Sequence, residues 1–193
     1  QADKTKYASI IHGETIRLTR LLDDLLDLSV LEYGQVSLNL EHGNLNDVIA
    51  QALLSAGGDH STHLTIHHAD QDANVMLSTD LDRLRQVFIN LITNAQKYCN
   101  APDPTLRVDV TRHAGRLQVE FADNGTPIPV EARALIFEKF SRINDKDGSG
   151  AALGLAICRE IMARLGGDIT YEPRPGGNTF IVHLPGQAAL AAQ

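Results

Sequence analysis

Apolar residues recur through residues 79–98 with the period of a helix. Leu84, Val87, Phe88, Leu91, Ile92 and Ala95 stand three or four positions apart, which places them on one face against a core. Thr79 or Asp80 supplies a capping side chain, and Asp82 suits the positive end of the helix dipole. A longer helix is predicted from Lys4 to Tyr33. Tyr7, Ile11, Leu18, Leu21, Leu25 and Leu28 alternate spacings of four and three, Glu14 fills one seam position, and Leu22, Leu26 and Leu31 widen the stripe. Such a face belongs to a bundle or coiled coil and needs a partner helix. Gly34 stops it.

Shorter periods follow. Val36, Leu38 and Leu40 alternate with polar neighbours and predict a strand over Gln35–Leu40. Asn44 caps a predicted helix carrying Leu45, Val48, Ile49, Ala52 and Leu53. Leu64–His67 and Ala73–Leu77 read as strands, and Leu106–Thr111 with Leu117–Phe121 as a hairpin turning at Ala114-Gly115. Leu155, Ile157, Ile161, Met162 and Leu165 outline one more helix, ended by Gly166-Gly167. Asp168–Tyr171 and Asn178–Leu184 close the fold as strands, and Ala188–Gln193 is expected to be disordered. Helices and strands in this order predict an α/β class.

Composition narrows the function classes. Hydrophobic content of 43% with 21% charged residues is that of a globular domain. A net charge of −7, with no basic run, argues against a nucleic-acid partner. Cys99 and Cys158 lack metal-ligand spacing and read as thiols in a reducing compartment. No apolar run approaches the ~18 residues of a membrane span, so a soluble, cytoplasmic protein without direct membrane contact is expected. His60, His63, His67 and His68 invite a metal reading, but strand neighbours point to opposite faces and no cysteine or carboxylate joins them. They read as a solvated cluster.

The polar face of the 79–98 helix carries the chemistry. Asn90, Asn94 and Lys97 form one stripe, offering amide oxygens to a hard cation and an ammonium to an anion. Further on, Asp123 ends a strand and Gly125 follows it. A carboxylate there accepts a hydrogen bond from an exocyclic amine, and a glycine lets backbone pass close to a flat ring. Glycines 148, 150 and 154 lead into the last helix, whose N-terminus offers backbone N–H groups to phosphate.

Asn90-Leu-Ile-Thr-Asn-Ala-Gln-Lys-Tyr98 resembles the N-box of sensor histidine kinases, N-L-x-x-N-A-x-K followed by an aromatic residue. Its companions occur in order. Asp123-Asn-Gly-Thr-Pro-Ile-Pro129 resembles the first glycine box, D-N-G-P-G-I-P. Ile136-Phe-Glu-Lys-Phe-Ser-Arg-Ile143 resembles the F-box, with Phe137 and Phe140 expected to anchor it. Gly150-Ala-Ala-Leu-Gly-Leu-Ala-Ile157 resembles the second glycine box, G-x-G-L-G-L-A-I. Leu21–Gly34 is similar to the second helix of the family's dimerisation domain. The family's phosphoacceptor context, H-E-x-x-x-P, is absent, and His12 reads as a surface or seam histidine. The chain is expected to begin after the acceptor site.

The resemblance implies a two-layer α/β sandwich of the histidine kinase and gyrase-type ATPase (GHKL, Bergerat) fold behind a long N-terminal helix. It implies residues 1–34 as the second helix of a dimerisation and phosphotransfer domain, 35–187 as the catalytic domain and 188–193 as a tail. ATP and Mg²⁺ are the implied cofactors. Asn94 would bind Mg²⁺, and Asn90, Asn94 and Lys97 form the catalytic set. Lys97, Tyr98, Asp123, Gly125, Lys139, Arg142, Gly150, Leu153, Gly154, Leu155 and Thr179 would contact the nucleotide, with Asp123 holding the adenine amino group. Implied partners are a response regulator receiver domain and a second copy, a homodimer formed through the N-terminal helix. Two positions depart from the pattern. Pro127 replaces a glycine and has no N–H, and Ala152 replaces another at a place where φ > 0 is disfavoured for alanine. The alternative they favour is a degenerate kinase acting as a docking module. Relatives that hydrolyse ATP carry a glutamate where this chain has Asn90, and an amide is no base at neutral pH. Phosphoryl transfer is therefore expected over hydrolysis.

Overall fold

The structure, a computed structural model, describes residues 2–33, 37–57, 64–68, 75–114, 116–141, 153–185 and 189–190. Gly34, His60, His63, Gly115, Arg142, the glycines at 148 and 150, and Ala152 lie outside the described residues.

Helix α1 (Ala2–Tyr33) runs as the leucine pattern requires, but its apolar stripe divides. Leu28 and Leu31 are buried, and Leu21 and Leu25 pack against the same core. Tyr7, Ile11, Leu18, Leu22 and Leu26 remain exposed. The C-terminal half of α1 thus packs on the domain. Asp27 reinforces it, accepting from Arg83 Nη1 at 2.8 Å and Gln86 Nε2 at 2.6 Å.

The strand expected over 35–40 forms later in the chain. Ser37–Leu40 has no ladder, Leu40 is 64% exposed, and the strand β1 is Glu41–Asn44. The backbone N–H of Asn39 donates to Asp80 Oδ2 at 3.0 Å, so a side chain satisfies it in place of a neighbouring strand. Asn44 caps α2 (Leu45–Ala56) through Asn46 N, as its residue type predicts. Strand β1 pairs antiparallel with β3 (Val75–Thr79), aligning Glu41 with Thr79. The tail forms a correction as well. Ala189–Leu190, expected to be disordered, is strand β8 and pairs with β3, covering an edge that would otherwise leave backbone groups unpaired.

The main sheet has the order β2-β4-β5-β7-β6. It comprises β2 (Thr65–His68), β4 (Thr105–His113), β5 (Arg116–Asp123), β6 (Asp168–Arg174) and β7 (Gly177–His183). β2 lies parallel to β4, and all other pairs are antiparallel. The expected hairpin is β4–β5, with Ala114 in the left-handed region at φ 48° in its turn. One face of this sheet carries Leu106, Val108, Val119, Phe121, Phe180 and Val182 into a single core with α2, α3 (Leu81–Tyr98) and α5 (Gly154–Arg164). This is the expected two-layer sandwich. All six apolar positions predicted for α3 are buried. Asp80 caps that helix through Arg83 N at 3.0 Å, so it fills the role left open between Thr79 and Asp80. A short turn of helix, α4, spans Val130–Arg133. Among the described residues, no helix is long and apolar enough to cross a membrane.

Candidate functional site

Helix α3 brings the motifs together. Its buried face fixes its rotation, so Asn90, Asn94 and Lys97 emerge along the opposite side. Asn90 Nδ2 donates to the carbonyl of Gly154, the first residue of α5, at 3.4 Å. This joins the polar stripe to the second glycine motif. Asn94 is half-buried, and its side chain has no hydrogen-bond partner among the described residues. Its amide oxygen is open to a cation. Lys97 and Tyr98 are exposed at the helix end, with Nζ 5.1 Å from the tyrosine ring centroid.

The end of α3 touches the end of β5. A side chain at Gly125 would place its Cβ 2.9 Å from Asp123 Oδ1 and 3.2 Å from the Cα of Cys99, so only glycine fits. Asn100 Oδ1 accepts from Thr126 N at 2.9 Å and from Thr126 Oγ1 at 3.0 Å. Asn124 Oδ1 accepts from Thr105 N at 2.8 Å and from Cys99 Sγ at 3.2 Å. The turn after Asp123 is thereby stitched to the segment that leaves α3.

Asp123 is half-buried and asymmetric. Its Oδ1 accepts from Gly125 N at 2.8 Å and from Asn178 Nδ2 at 3.0 Å, while Oδ2 has no partner among the described residues. Asn178 was not foreseen. It follows Gly176-Gly177 and pairs directly with Asp123 across β5 and β7. Gly177 is needed there because a Cβ would meet the Asp123 carbonyl. The Gly-Gly pair was the available signal, since it marks where two strands approach closely.

Thr179 requires a correction. It was expected at the nucleotide, but it pairs with Ala122, and successive strand residues face opposite sides of a sheet. Asn178 stands on the Asp123 face and Thr179 on the other, fully buried with a hydroxyl that has no partner among the described residues. Leu153 is likewise in the core at the start of α5, supporting Gly154 from beneath, whereas Leu155 is half-buried.

In the F-box segment, Phe137 packs edge-on against Phe180, with centroids 6.4 Å apart. Phe140, expected to anchor as well, is 52% exposed and sits in the left-handed region at φ 60°, which turns its side chain from the core. Lys139 forms an ion pair with Glu32 of α1, and this hydrogen bond raises its pKa. Glu138 pairs with Arg159 of α5 at 3.1 Å. Cys158 lies under the site, and burial pushes its thiol up to about 12. No group of three or more histidine, cysteine, aspartate or glutamate side chains capable of holding a metal occurs among the described residues. His67 and His68 alternate on β2, and His68 Nδ1 meets the carbonyl of Val108 at 3.0 Å.

Asp123 Oδ2 and the Asn94 amide oxygen, each without a partner among the described residues, are able to accept from an exocyclic amine and to bind a hard cation respectively. Comparison with known proteins identifies the family. The family model for histidine kinase-, DNA gyrase B-, and HSP90-like ATPases matches residues 79–188. The chain is 35% identical over 188 residues to the sensor protein KdpD of Escherichia coli, covering 95% of this chain and 20% of that protein. It is 33% identical over 198 residues to the sensor protein VanS of Enterococcus faecium, covering 97% and 49%. Among solved structures, full-length ShkA in complex with AMPPNP matches with a TM-score of 0.79 at 27% identity, over 99% of this chain and 40% of that one. The histidine kinase ThkA in complex with the response regulator protein TrrA matches with a TM-score of 0.71 at 27% identity, over 94% and 51%. The chain therefore spans about a fifth to a half of the length of these relatives.

Proposed function

Because the chain belongs to the histidine kinase-, DNA gyrase B- and HSP90-like ATPase family, as an ATP-binding catalytic domain of the sensor histidine kinase kind, we propose that it binds Mg²⁺-ATP for transfer of the γ-phosphoryl group to a histidine that this chain does not carry. The observation that carries this reading is the carboxylate of Asp123, with one oxygen held by two donors and the other without a partner among the described residues, beside the Gly125 turn that abuts the end of the helix bearing Asn94.

In this reading Asp123 Oδ2 accepts from the 6-amino group of adenine, and Gly125 admits the base. Asn94 would hold Mg²⁺ through its amide oxygen, while Lys97 and Tyr98 would flank the nucleotide. By the family resemblance Lys139, Arg142, Gly150 and Gly154 would serve the phosphates, Lys139 by giving up Glu32 for a phosphate oxygen. When bound, ATP would supply the phosphoryl group and Mg²⁺ would neutralise its charge, so the residues of this chain would contribute positioning and electrostatics. Asn90, tied to Gly154, offers no base to activate water.

Residues 1–34 act in this reading as the second helix of a dimerisation domain and 35–187 as the catalytic domain. A second copy joins through α1, and a response regulator receives the phosphate. A second reading, a docking module that binds nucleotide weakly or not at all, is favoured by Pro127, whose ring nitrogen offers no N–H to a ligand.

Calorimetric titration with a non-hydrolysable ATP analogue, with and without Mg²⁺, tests the choice. Binding is expected to be lost in Asp123→Asn, and its Mg²⁺ enhancement in Asn94→Ala. No detectable binding at millimolar analogue would sink the catalytic reading and leave the docking module.

A further inference from the structure

Asn178 is 7% exposed, and its amide is used in full within the protein. Its Nδ2 donates to Asp123 Oδ1 at 3.0 Å and to the carbonyl of Thr126 at 3.1 Å. Its Oδ1 accepts from Tyr171 Oη at 2.8 Å and from Ile128 N at 3.1 Å. An amide has two donors and two acceptor sites, so none remains for a ligand. The orientation is forced. The nitrogen faces a carboxylate and a carbonyl, the oxygen faces a hydroxyl and an N–H, and the flipped amide would lose these bonds.

Two consequences meet at Asp123. The bond from Asn178 joins that from Gly125 N on the same oxygen, so the carboxylate cannot rotate without breaking both. Two further contacts of Asn178, to Thr126 O and Ile128 N, bracket Pro127. Tyr171 completes the brace: its hydroxyl also accepts from Ile128 N at 3.0 Å, and its ring packs on Phe180 with centroids 5.4 Å apart. The peptide groups on either side of the proline are thus held by a side chain from β7 and one from β6.

We propose that Asn178, braced by Tyr171, is a positioning residue that fixes Asp123 with Oδ2 presented to the 6-amino group of a purine, and so sets the preference for a 6-amino over a 6-oxo base. This deepens the nucleotide reading and rests on it. A 6-oxo purine offers an acceptor where the amine would donate. With both hydrogens of Asn178 engaged, no donor on this side chain can turn to meet it. Release of Asn178 lets the carboxylate rotate and removes the selection.

The test compares the imido analogues of ATP and ITP on the full chain by calorimetry, with unfolding midpoints recorded for each variant. Wild type is expected to prefer the adenine analogue. Asn178→Ala is expected to weaken ATP-analogue binding about tenfold, the equivalent of one charge-assisted hydrogen bond, while ITP-analogue binding changes less than about twofold. Tyr171→Phe removes a single oxygen and is expected to lose roughly threefold of the preference. Asn178→Ser, which restores one donor, is expected to regain part of what alanine loses. A purely structural role would lower both affinities together and leave their ratio intact, and that result in Tyr171→Phe and Asn178→Ala overturns the proposal. Wild type that binds, loses binding in Asp123→Asn, and keeps its preference in both variants overturns the proposal alone. Wild type that binds neither analogue overturns the nucleotide reading and this proposal with it.

Discussion

Thr179 and Asn178 are adjacent in sequence and separated by the thickness of a sheet. The hydroxyl of Thr179 is buried without a partner among the described residues, and an orphaned buried hydroxyl is a cost that an isosteric methyl group removes. Thr179→Val is therefore expected to stabilise the protein by about 1 kcal/mol, read as a rise in the urea midpoint. Nucleotide-analogue affinity should stay unchanged, because the residue lies on the face away from Asp123. A fall in affinity would restore the role that the family resemblance implied. Cys158 makes a pH prediction. Burial raises its thiol from 9.0 to about 12, so the unfolded chain releases this proton near pH 9 while the native state keeps it. The native state binds more protons within that window. Stability is intact below it and falls as pH rises, by roughly 1.4 kcal/mol per pH unit from this group. Subtracting the profile of Cys158→Ala, measured by denaturant unfolding from pH 8 to about 11, should isolate that slope. Parallel profiles would refute it.

At the scale of elements, α1 is held to the domain by the leucines of its last turns and by one carboxylate in particular. Asp27 receives both Arg83 and Gln86 of α3 and is about three-quarters buried. Asp27→Ala strips an acceptor from each, and a loss of about 1–2 kcal/mol is expected in chemical unfolding. Part of the loss is returned at Asp24, whose pKa is raised first by burial and then by repulsion from Asp27 and Asp23. An unchanged midpoint would mean that the leucines alone hold the helix. The same contacts decide where Lys139 points, since Glu32 lies on the same helix.

For the molecule as a whole, legibility in the sequence followed the range of the interaction. α3 was readable to the residue because helical periodicity is a local property, and all six of its predicted core positions are buried. The hairpin, the Asn44 cap and the layered α/β class were readable for the same reason. The β1-β3-β8 sheet was not, because it joins segments from three distant parts of the chain and its register depends on partners no local window contains. In the site, motif spacing singled out Asp123, Gly125, Asn94 and Gly154, which the fold places along the polar side and the end of α3. It failed at Thr179 by a single position, since a one-residue step in a strand reverses the face. It missed Asn178 and Tyr171 because their roles arise only when β6 and β7 are laid beside β5.

The divided stripe of α1 has a consequence for how firmly each of its peptide hydrogens is held. From Thr5 to Arg20 every side chain is exposed, and from Leu21 onward the helix leans on the core. A helix with no packing is marginal in water, whatever its propensity. In a lone copy, amide protons before Leu21 then exchange with solvent through local unwinding, whereas those near Leu28 and Leu31 wait for opening of the domain. The boundary between fast and slow exchange marks, within one continuous helix, the change from a segment whose side chains are all exposed to one that rests on the core.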